Sequence, residues 1–504
     1  MAGGRIPYIM KTSGTRLFAA ATVVACALGL GASATVDASA DSSKPISSID
    51  WSECDHGLEC ATFEVPVDWA APTTATTTMN MVKLTATGDA NGTLIANFGA
   101  GNSTLAMASP PPAVERLAES FDVVVFDPRG IGSPENGTFT ECPEPAAPFY
   151  GLVEATTEEA WQVHADANAR YDDGCRQAAA DAFTGSTSWQ MAHDIEAMRV
   201  ALGEDELHYF GNSYGTAYAQ AYLSLFPHRV GTMYLDGVAD HTQPDLEDWL
   251  ANYALTAEGP LHEFDRWCGE RSGCALHDIG VTEAWDRLSA AVAQAPLPAP
   301  GAGEGETVDQ GEFHGGSHFG MTPPRWPVLA KAMADALDGD ASGFLTHLRM
   351  PGVGDEPVSV QGALLCHDYM PVLPDYTEAM EMESRLKKIA PRFGWIELRV
   401  QLGRCVGVSG EPAYPPHSVD VDETVSVLVG VGRLDNNTPH LGARHFAGQV
   451  PGAAVIEHGD GHAAFLLGNT CLADHVVTYF ETGRTPPAGT TCPGELVDAI
   501  PDHP

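Results

Sequence analysis

Positive charge is scarce in this sequence. Lysine and arginine together number 26 of 504 residues, against 67 aspartates and glutamates, for a formal net charge of -41. Such a surface repels phosphate backbones and anionic headgroups, so neither a nucleic acid nor a stable membrane partner is expected. Long apolar runs are missing too: "LFAAATVVACALGLG", residues 17–31, is short for a bilayer span. No cysteine and histidine group has the compact spacing of a structural zinc site. No short-period repeat is present.

What is present begins with a leader. Arg5, Lys11 and Arg16 precede the apolar run, and Ala-x-Ala sites follow at residues 32–34 and 38–40. Residues 1–40 therefore read as an export signal, and the protein as extracellular. Val23-Val24-Ala25-Cys26 leaves a cell-envelope lipoprotein as the alternative, opposed by the apolar residues that continue past Cys26. Beyond residue 40 stand ten cysteines, an even and dispersed set that favours disulfides in an exported chain. Pairing each with its neighbour in chain order is the expected connectivity.

The length exceeds one ordinary core, so a second lobe or a large insertion is expected. "CATFEVPVDW" and "TTTMNMVKLTAT" alternate as strands do. "GTLIANFGAGNS", "FDVVVFDPRGIGS", "ELHYFGNSYG" and "RVGTMYLDG" are apolar strands ending in polar or glycine-bearing loops. With helical patterns at "SWQMAHDIEAMRVALG" and "YGTAYAQAYLSLF", they predict an α/β fold: a mostly parallel central sheet flanked by helices. The expected organisation is a first core part over 41–243 and a mainly helical cap insertion over 244–416. A second core part over 417–504 follows, where "TVSVLVGVGRLDNNTP" and "GAAVIEHGDGHAAF" restore the strand pattern. Within the cap, residues 294–320 read as a flexible crossing.

"GNSYG", residues 211–215, fits G-x-S-x-G between a strand and a helix. Gly211 and Gly215 allow a sharply turned nucleophile elbow, which projects the Ser213 hydroxyl at a helix start. A hydroxyl needs a base, and the base needs an orienting acid. In the expected order of nucleophile, acid and base, Asp435 follows one late strand and His462 the next. Asp460 is too close to His462 in the same loop, His458 belongs to a strand end, and Asp422 precedes its strand. The backbone N–H of Tyr214 and one from Ala100 or Gly101 are the candidate oxyanion hole. Arg129 in "FDPRGIGS" is assigned a supporting role, with substrate-carboxylate binding as the alternative.

In ordered combination, "FDPRGIGS", "YFGNSYGT", "FPHRVGTMYLDGV", "LDNNTP", "GHAAF" and the terminal "C…YFETGRTPPAGTTC" resemble a known family. It is the secreted actinobacterial tripeptidyl-aminopeptidase-like branch of the α/β-hydrolases, related to proline iminopeptidases and ending in a TAP-like C-terminal region. The resemblance spans nearly all of the mature chain. It implies an α/β-hydrolase fold, a Ser213, Asp435, His462 triad, no metal or organic cofactor, and release of short peptides or residues from free N-termini. Where the family carries an "NPGGPGGSG"-like loop, this chain has "NFGAGNSTL", and Cys405 is not followed by the family's Cys-x-Trp. Peptides with a free N-terminus are thus the first expected substrate. Small esters, amides or lactones are the alternative, and a noncatalytic binding protein is a third reading. Oligomeric state is left open.

Overall fold

Runs such as Val123 to Phe126 and Val427 to Val431 are apolar at every position, which suits strands covered on both faces. The computed structural model describes residues 49–501 apart from 73–74, 135–136, 349–357 and 422–424. The leader, with Cys26, and Asp422 lie outside the described residues. Residues 46–504 form one unit.

Its sheet has ten strands. In chain order the strands of the unit are β1 (Ser52–Glu53), β2 (Glu59–Pro66), β3 (Thr76–Leu84), β4 (Thr93–Asn97), β5 (Asp122–Phe126), β6 (Leu207–Asn212), β7 (Val230–Asp236), β8 (Leu297–Pro298), β9 (Thr307–Val308), β10 (Val427–Gly432), β11 (Ala453–His458) and β12 (Thr491–Cys492). The sheet runs β1-β2-β3-β5-β4-β6-β7-β10-β11-β12, and β8 pairs only with β9. From β5 through β4, β6, β7, β10 and β11 to β12 every pairing is parallel. The pairings of β1, β2 and β3 up to β5 are antiparallel.

Alternation splits the strand residues between two cores. Ile95, Val124, Tyr209, Met233 and Val429 pack against Met191, Ile195 and Tyr222 on one face. Leu94, Val123, Phe210, Tyr234 and Leu428 pack against Leu117, Leu472 and Val476 on the other.

Twelve described helices have eight residues or more: α1 (Glu158–Ala179), α2 (Ser188–Leu202), α3 (Gly215–Leu225), α4 (Leu246–Gly269), α5 (Val281–Val292), α6 (Gln310–Gly320), α7 (Trp326–Leu337), α8 (Gln361–Asp368), α9 (Tyr376–Ile389), α10 (Gly394–Gly403), α11 (His440–Ala447) and α12 (Thr470–Thr482). Among the described residues between β7 and β10, the regular elements are helices apart from the β8/β9 hairpin. The segment read as a flexible crossing holds that hairpin and all of α6. Glycine-rich "HGGSHFG" hides the helix, yet its start is well marked: Asp309 caps Glu312 N–H while the Glu312 side chain accepts from Asp309 N–H. The helical layer also recruits a segment assigned from sequence to the core, since Leu152, Trp161 and Ala165 pack with Trp249, Leu398 and Leu402.

Five disulfides join Cys54–Cys60, Cys142–Cys175, Cys268–Cys274, Cys366–Cys405 and Cys471–Cys492. This is the neighbour pairing expected from the sequence. Two of them close loops of 33 and 39 residues, each constraining the unfolded chain by about 3–4 kcal/mol. Thermal unfolding with and without a reductant should therefore show a clear drop in Tm on reduction; an unchanged Tm would contradict the assignment.

Candidate active site

The loops after β6, β7, β10 and β11 all leave the same end of the parallel sheet, where such folds place their chemistry. Ser213 stands between β6 and α3 with φ +53, a left-handed backbone that a serine adopts only under constraint. Two contacts impose it. Ser213 N–H donates to the Asp236 carbonyl at 3.0 Å, and the elbow is pressed against its surroundings on both sides. A β-carbon on Gly211 would lie 2.8 Å from the Gly215 carbonyl oxygen, and one on Gly215 would lie 2.6 Å from that of Asn97.

Asp435 leaves β10 and His462 leaves β11, as the sequence order requires. Their Oδ2 and Nδ1 atoms are 2.9 Å apart. Asp435 also accepts from Asn437 N–H at 2.9 Å, Thr438 N–H at 2.8 Å and Thr438 Oγ1 at 2.6 Å. Burial pushes the Asp435 carboxyl up, but the His462 charge and these bonds outweigh it and hold it below the usual carboxylate range. Burial likewise favours neutral His462. The charge and hydrogen bond of Asp435, with Asp236 adding to them, reverse that preference and raise its pKa above 6.5. Such an imidazole, oriented through Nδ1, leaves Nε2 as the basic atom.

His462 lies against Gly237, where a β-carbon would be 2.9 Å from its ring, and Gly237 directly follows the residue that holds Ser213 N–H. Nucleophile and imidazole therefore border the same short stretch of backbone. Among the described residues no hydrogen bond joins Ser213 to His462, a contact that commonly tightens only with substrate.

The comparisons with known proteins bear on this geometry. Residues 99–289 match the alpha/beta hydrolase fold family and residues 393–492 the TAP-like protein family. The chain is an α/β-hydrolase with a TAP-like C-terminal region. It is 26% identical over 460 residues to serine protease Hip1 of Mycobacterium tuberculosis (strain ATCC 25618 / H37Rv), covering 86% of this chain and 87% of that protein. It is 26% identical over 484 residues to tripeptidyl aminopeptidase of Streptomyces lividans, covering 88% and 86%. Carboxylesterase B of M. tuberculosis (strain CDC 1551 / Oshkosh) is 25% identical over 462 residues, covering 86% of each. This α/β-hydrolase is an enzyme of the serine hydrolase class, which displaces the noncatalytic reading.

The remaining expected residues of this α/β-hydrolase have definite places. The N–H groups of Tyr214, Ala100 and Gly101 donate no hydrogen bond among the described residues, so each is free to donate to a ligand oxygen. Gly101 has open space beside it, whereas Gly99 lies against the nucleophile: a β-carbon there would lie 2.7 Å from Ser213 Cβ. Asn97 pins this loop, donating to the Phe126 carbonyl at 3.1 Å and accepting Gly99 N–H at 3.1 Å. Arg129 is 2% exposed and fully engaged. It forms a two-pronged pair with Asp194, both contacts 2.6 Å, and donates to the carbonyls of Pro66, Val67 and Gly185. It therefore braces the scaffold, and no donor remains for a substrate carboxylate.

Sequence reasoning passed over several groups that the fold brings to the site. Thr438 is legible in hindsight, three residues after Asp435 in "LDNNTP". Tyr214 Oη donates to Asp368 Oδ2 at 2.7 Å, tying the elbow to α8. Above the Asp435 loop the cap presents a polar cluster. His318 of α6 meets Asn437 Oδ1 at 3.3 Å, and its carbonyl accepts from Asn436 Nδ2. Burial drives His318 down to about 4, so it is neutral. Tyr150 lies beside it, within electrostatic reach of Glu397 of α10 and of Arg404 just past that helix, and Gln401 of α10 bonds Glu397. The 397, 401, 404 spacing is one helix face.

For cofactors, one three-ligand group occurs among the described residues, Cys471, His475 and Cys492. Its two sulfurs are joined as a disulfide and offer no thiolate.

Proposed function

We propose that this α/β-hydrolase is an exported serine exopeptidase that releases short peptides or single residues from free N-termini. His462 takes the proton of Ser213 as its oxygen attacks the acyl carbon. The N–H of Tyr214 and that of Ala100 or Gly101 donate to the developing oxyanion. His462 then protonates the departing amine, and water repeats the sequence to free the acid from Ser213. Support for peptide chemistry comes from relatives named serine protease and tripeptidyl aminopeptidase.

The observation that carries the free-N-terminus reading is the cap cluster. Glu397 is buried, and its carboxylate is met by one long bond, 3.3 Å from Gln401 Nε2. Gln401 Oε1, Tyr150 Oη and Arg404 Nε are buried without hydrogen-bond partners among the described residues. Unspent acceptors around a carboxylate suit an ammonium group, and the neighbouring guanidinium suits the first peptide carbonyl. Burial pushes Glu397 up to about 7, against the pull of Gln401 and Arg404. An arriving ammonium would restore the charged form.

Matched fluorogenic peptides with free and acetylated N-termini test this reading. Cleavage should be confined to the free form, and equal turnover of both would defeat it. Glu397→Gln is expected to lower kcat/KM for free-amine peptides by about 10²-fold, the scale of an unpaired buried charge. Ester turnover should change by less than a few-fold.

A second reading, a carboxylesterase or an amide or lactone hydrolase, is favoured by the oxyanion loop. Phe98 places an aromatic ring there, packed 6.1 Å from Phe210, and one relative is named carboxylesterase B. Short acyl esters turned over far faster than tripeptide anilides would select it.

A further inference from the structure

Behind the elbow, on the face of the sheet packed against α12, lies a group of buried polar atoms that take no part in the proton transfers between Ser213, His462 and Asp435. Asp236 ends β7 and is 1% exposed. Its backbone carbonyl holds Ser213 N–H at 3.0 Å. Its Oδ2 accepts the N–H of Phe465, three residues beyond His462, at 3.1 Å. Its Oδ1 faces His458 Nε2, the last residue of β11, at 3.7 Å. One residue thus touches the nucleophile turn, the loop of the base and the strand that launches that loop.

The surroundings are cut to hold it. Asp236 Oδ1, Tyr234 Oη and both ring nitrogens of His458 are buried with no hydrogen-bond partner among the described residues. Room for them comes from Gly430 of β10, where a β-carbon would lie 2.6 Å from Tyr234 Oη and 2.9 Å from Asp236 Oδ1. An apolar filling would stabilise this volume more cheaply than unpaired polar atoms. Such unpaired groups are kept where their charge acts on a neighbour.

We propose that Asp236 is a positioning residue: through its carbonyl to Ser213 N–H and its carboxylate to Phe465 N–H, with His458 facing it, it fixes Ser213 relative to His462 and supplies a second negative charge that favours the imidazolium formed during attack. The proposal rests on the Ser213, Asp435, His462 reading but not on the choice between peptide and ester. The direction of the His462 shift agrees with it, since Asp236 adds to the larger effect of Asp435. The titratable groups to be considered are Asp435 and Asp236 facing His462, and Tyr234 and His458 facing Asp236. Asp460 is turned instead to Asn469, Leu496 and Val497.

Asp236→Asn keeps an acceptor for Phe465 N–H and removes the charge. With a short-chain ester, kcat is expected to fall about 10-fold with KM within 2-fold, and the acid limb of kcat/KM should move to lower pH. A residue serving structure alone would leave that limb in place. Circular dichroism checks the fold, and Ser213→Ala is the control. Turnover surviving Ser213→Ala would overturn the triad and this proposal together. A dead Ser213→Ala beside an Asp236→Asn enzyme with unchanged kcat and pH profile would overturn this proposal alone. Should Asp236→Asn not fold, His458→Gln and His458→Leu decide. The glutamine keeps a donor toward Asp236 and should retain kcat, whereas the leucine should lose it about 10-fold; equal kcat in both would overturn the proposal.

Discussion

Replacing Ser213 with alanine is expected to lower turnover of both esters and peptides by at least about 10⁴-fold, the scale of losing the nucleophile of such a triad. The fold should persist, because the tie at this position is made by the Ser213 backbone N–H to the Asp236 carbonyl, which alanine keeps. The left-handed φ is already occupied by a residue with a β-carbon. Labelling by a serine-directed phosphonate should be stoichiometric in the parent protein and vanish in the variant. Label retained by a folded Ser213→Ala protein would place the nucleophile elsewhere.

The second large effect is expected at Asp435. An asparagine has almost the same shape, but the carboxylate accepts from two backbone N–H groups, Thr438 Oγ1 and His462 Nδ1. An amide must turn its NH₂ toward one of these donors. If it faces His462, the imidazole adopts the other tautomer and presents a protonated Nε2 to Ser213. The expected loss in kcat is about 10⁴-fold. The sign of the pH effect follows from the charge. Asp435 stabilises the imidazolium and raises the His462 pKa above 6.5, so the parent enzyme should lose activity as pH falls through that raised value. In Asp435→Asn the residual activity should lose its acid limb at lower pH. A kcat/KM profile for a neutral ester over the acidic to neutral range measures both, and an unmoved limb would separate Asp435 from the base.

How far the sequence could be read depended on whether a signal was local. Strands β4, β5, β6, β7 and β10 were legible because each is a short apolar run ended by a polar or glycine turn. Ser213, Asp435 and His462 were legible because strand order constrains which end of the sheet each loop occupies. The two elbow glycines carried their reason within five residues. The oxyanion loop was harder: glycine content points to the loop, but only packing shows that Gly99 abuts Ser213 and that Ala100 and Gly101 keep free N–H groups. The cap cluster was not legible at all. Tyr150, His318 and Glu397 come from three separated segments, and nothing in "GWIELRVQLGR" marks Glu397 as a buried carboxylate, not a surface one. Asp236 was hidden differently, since "YLDG" reads as any strand reaching its turn. Helix α6 was missed because its glycines outweighed a capping signal that only reciprocal side-chain geometry makes decisive.

The Asp368 carboxylate at the end of α8 accepts from Tyr214 beside the nucleophile and from Ser188, both its N–H and its hydroxyl, at the start of α2. The end of α8 is thereby fastened both to the turn that carries the reacting serine and to the start of α2, and a hinged swing of α8 would tear three bonds from one buried anion.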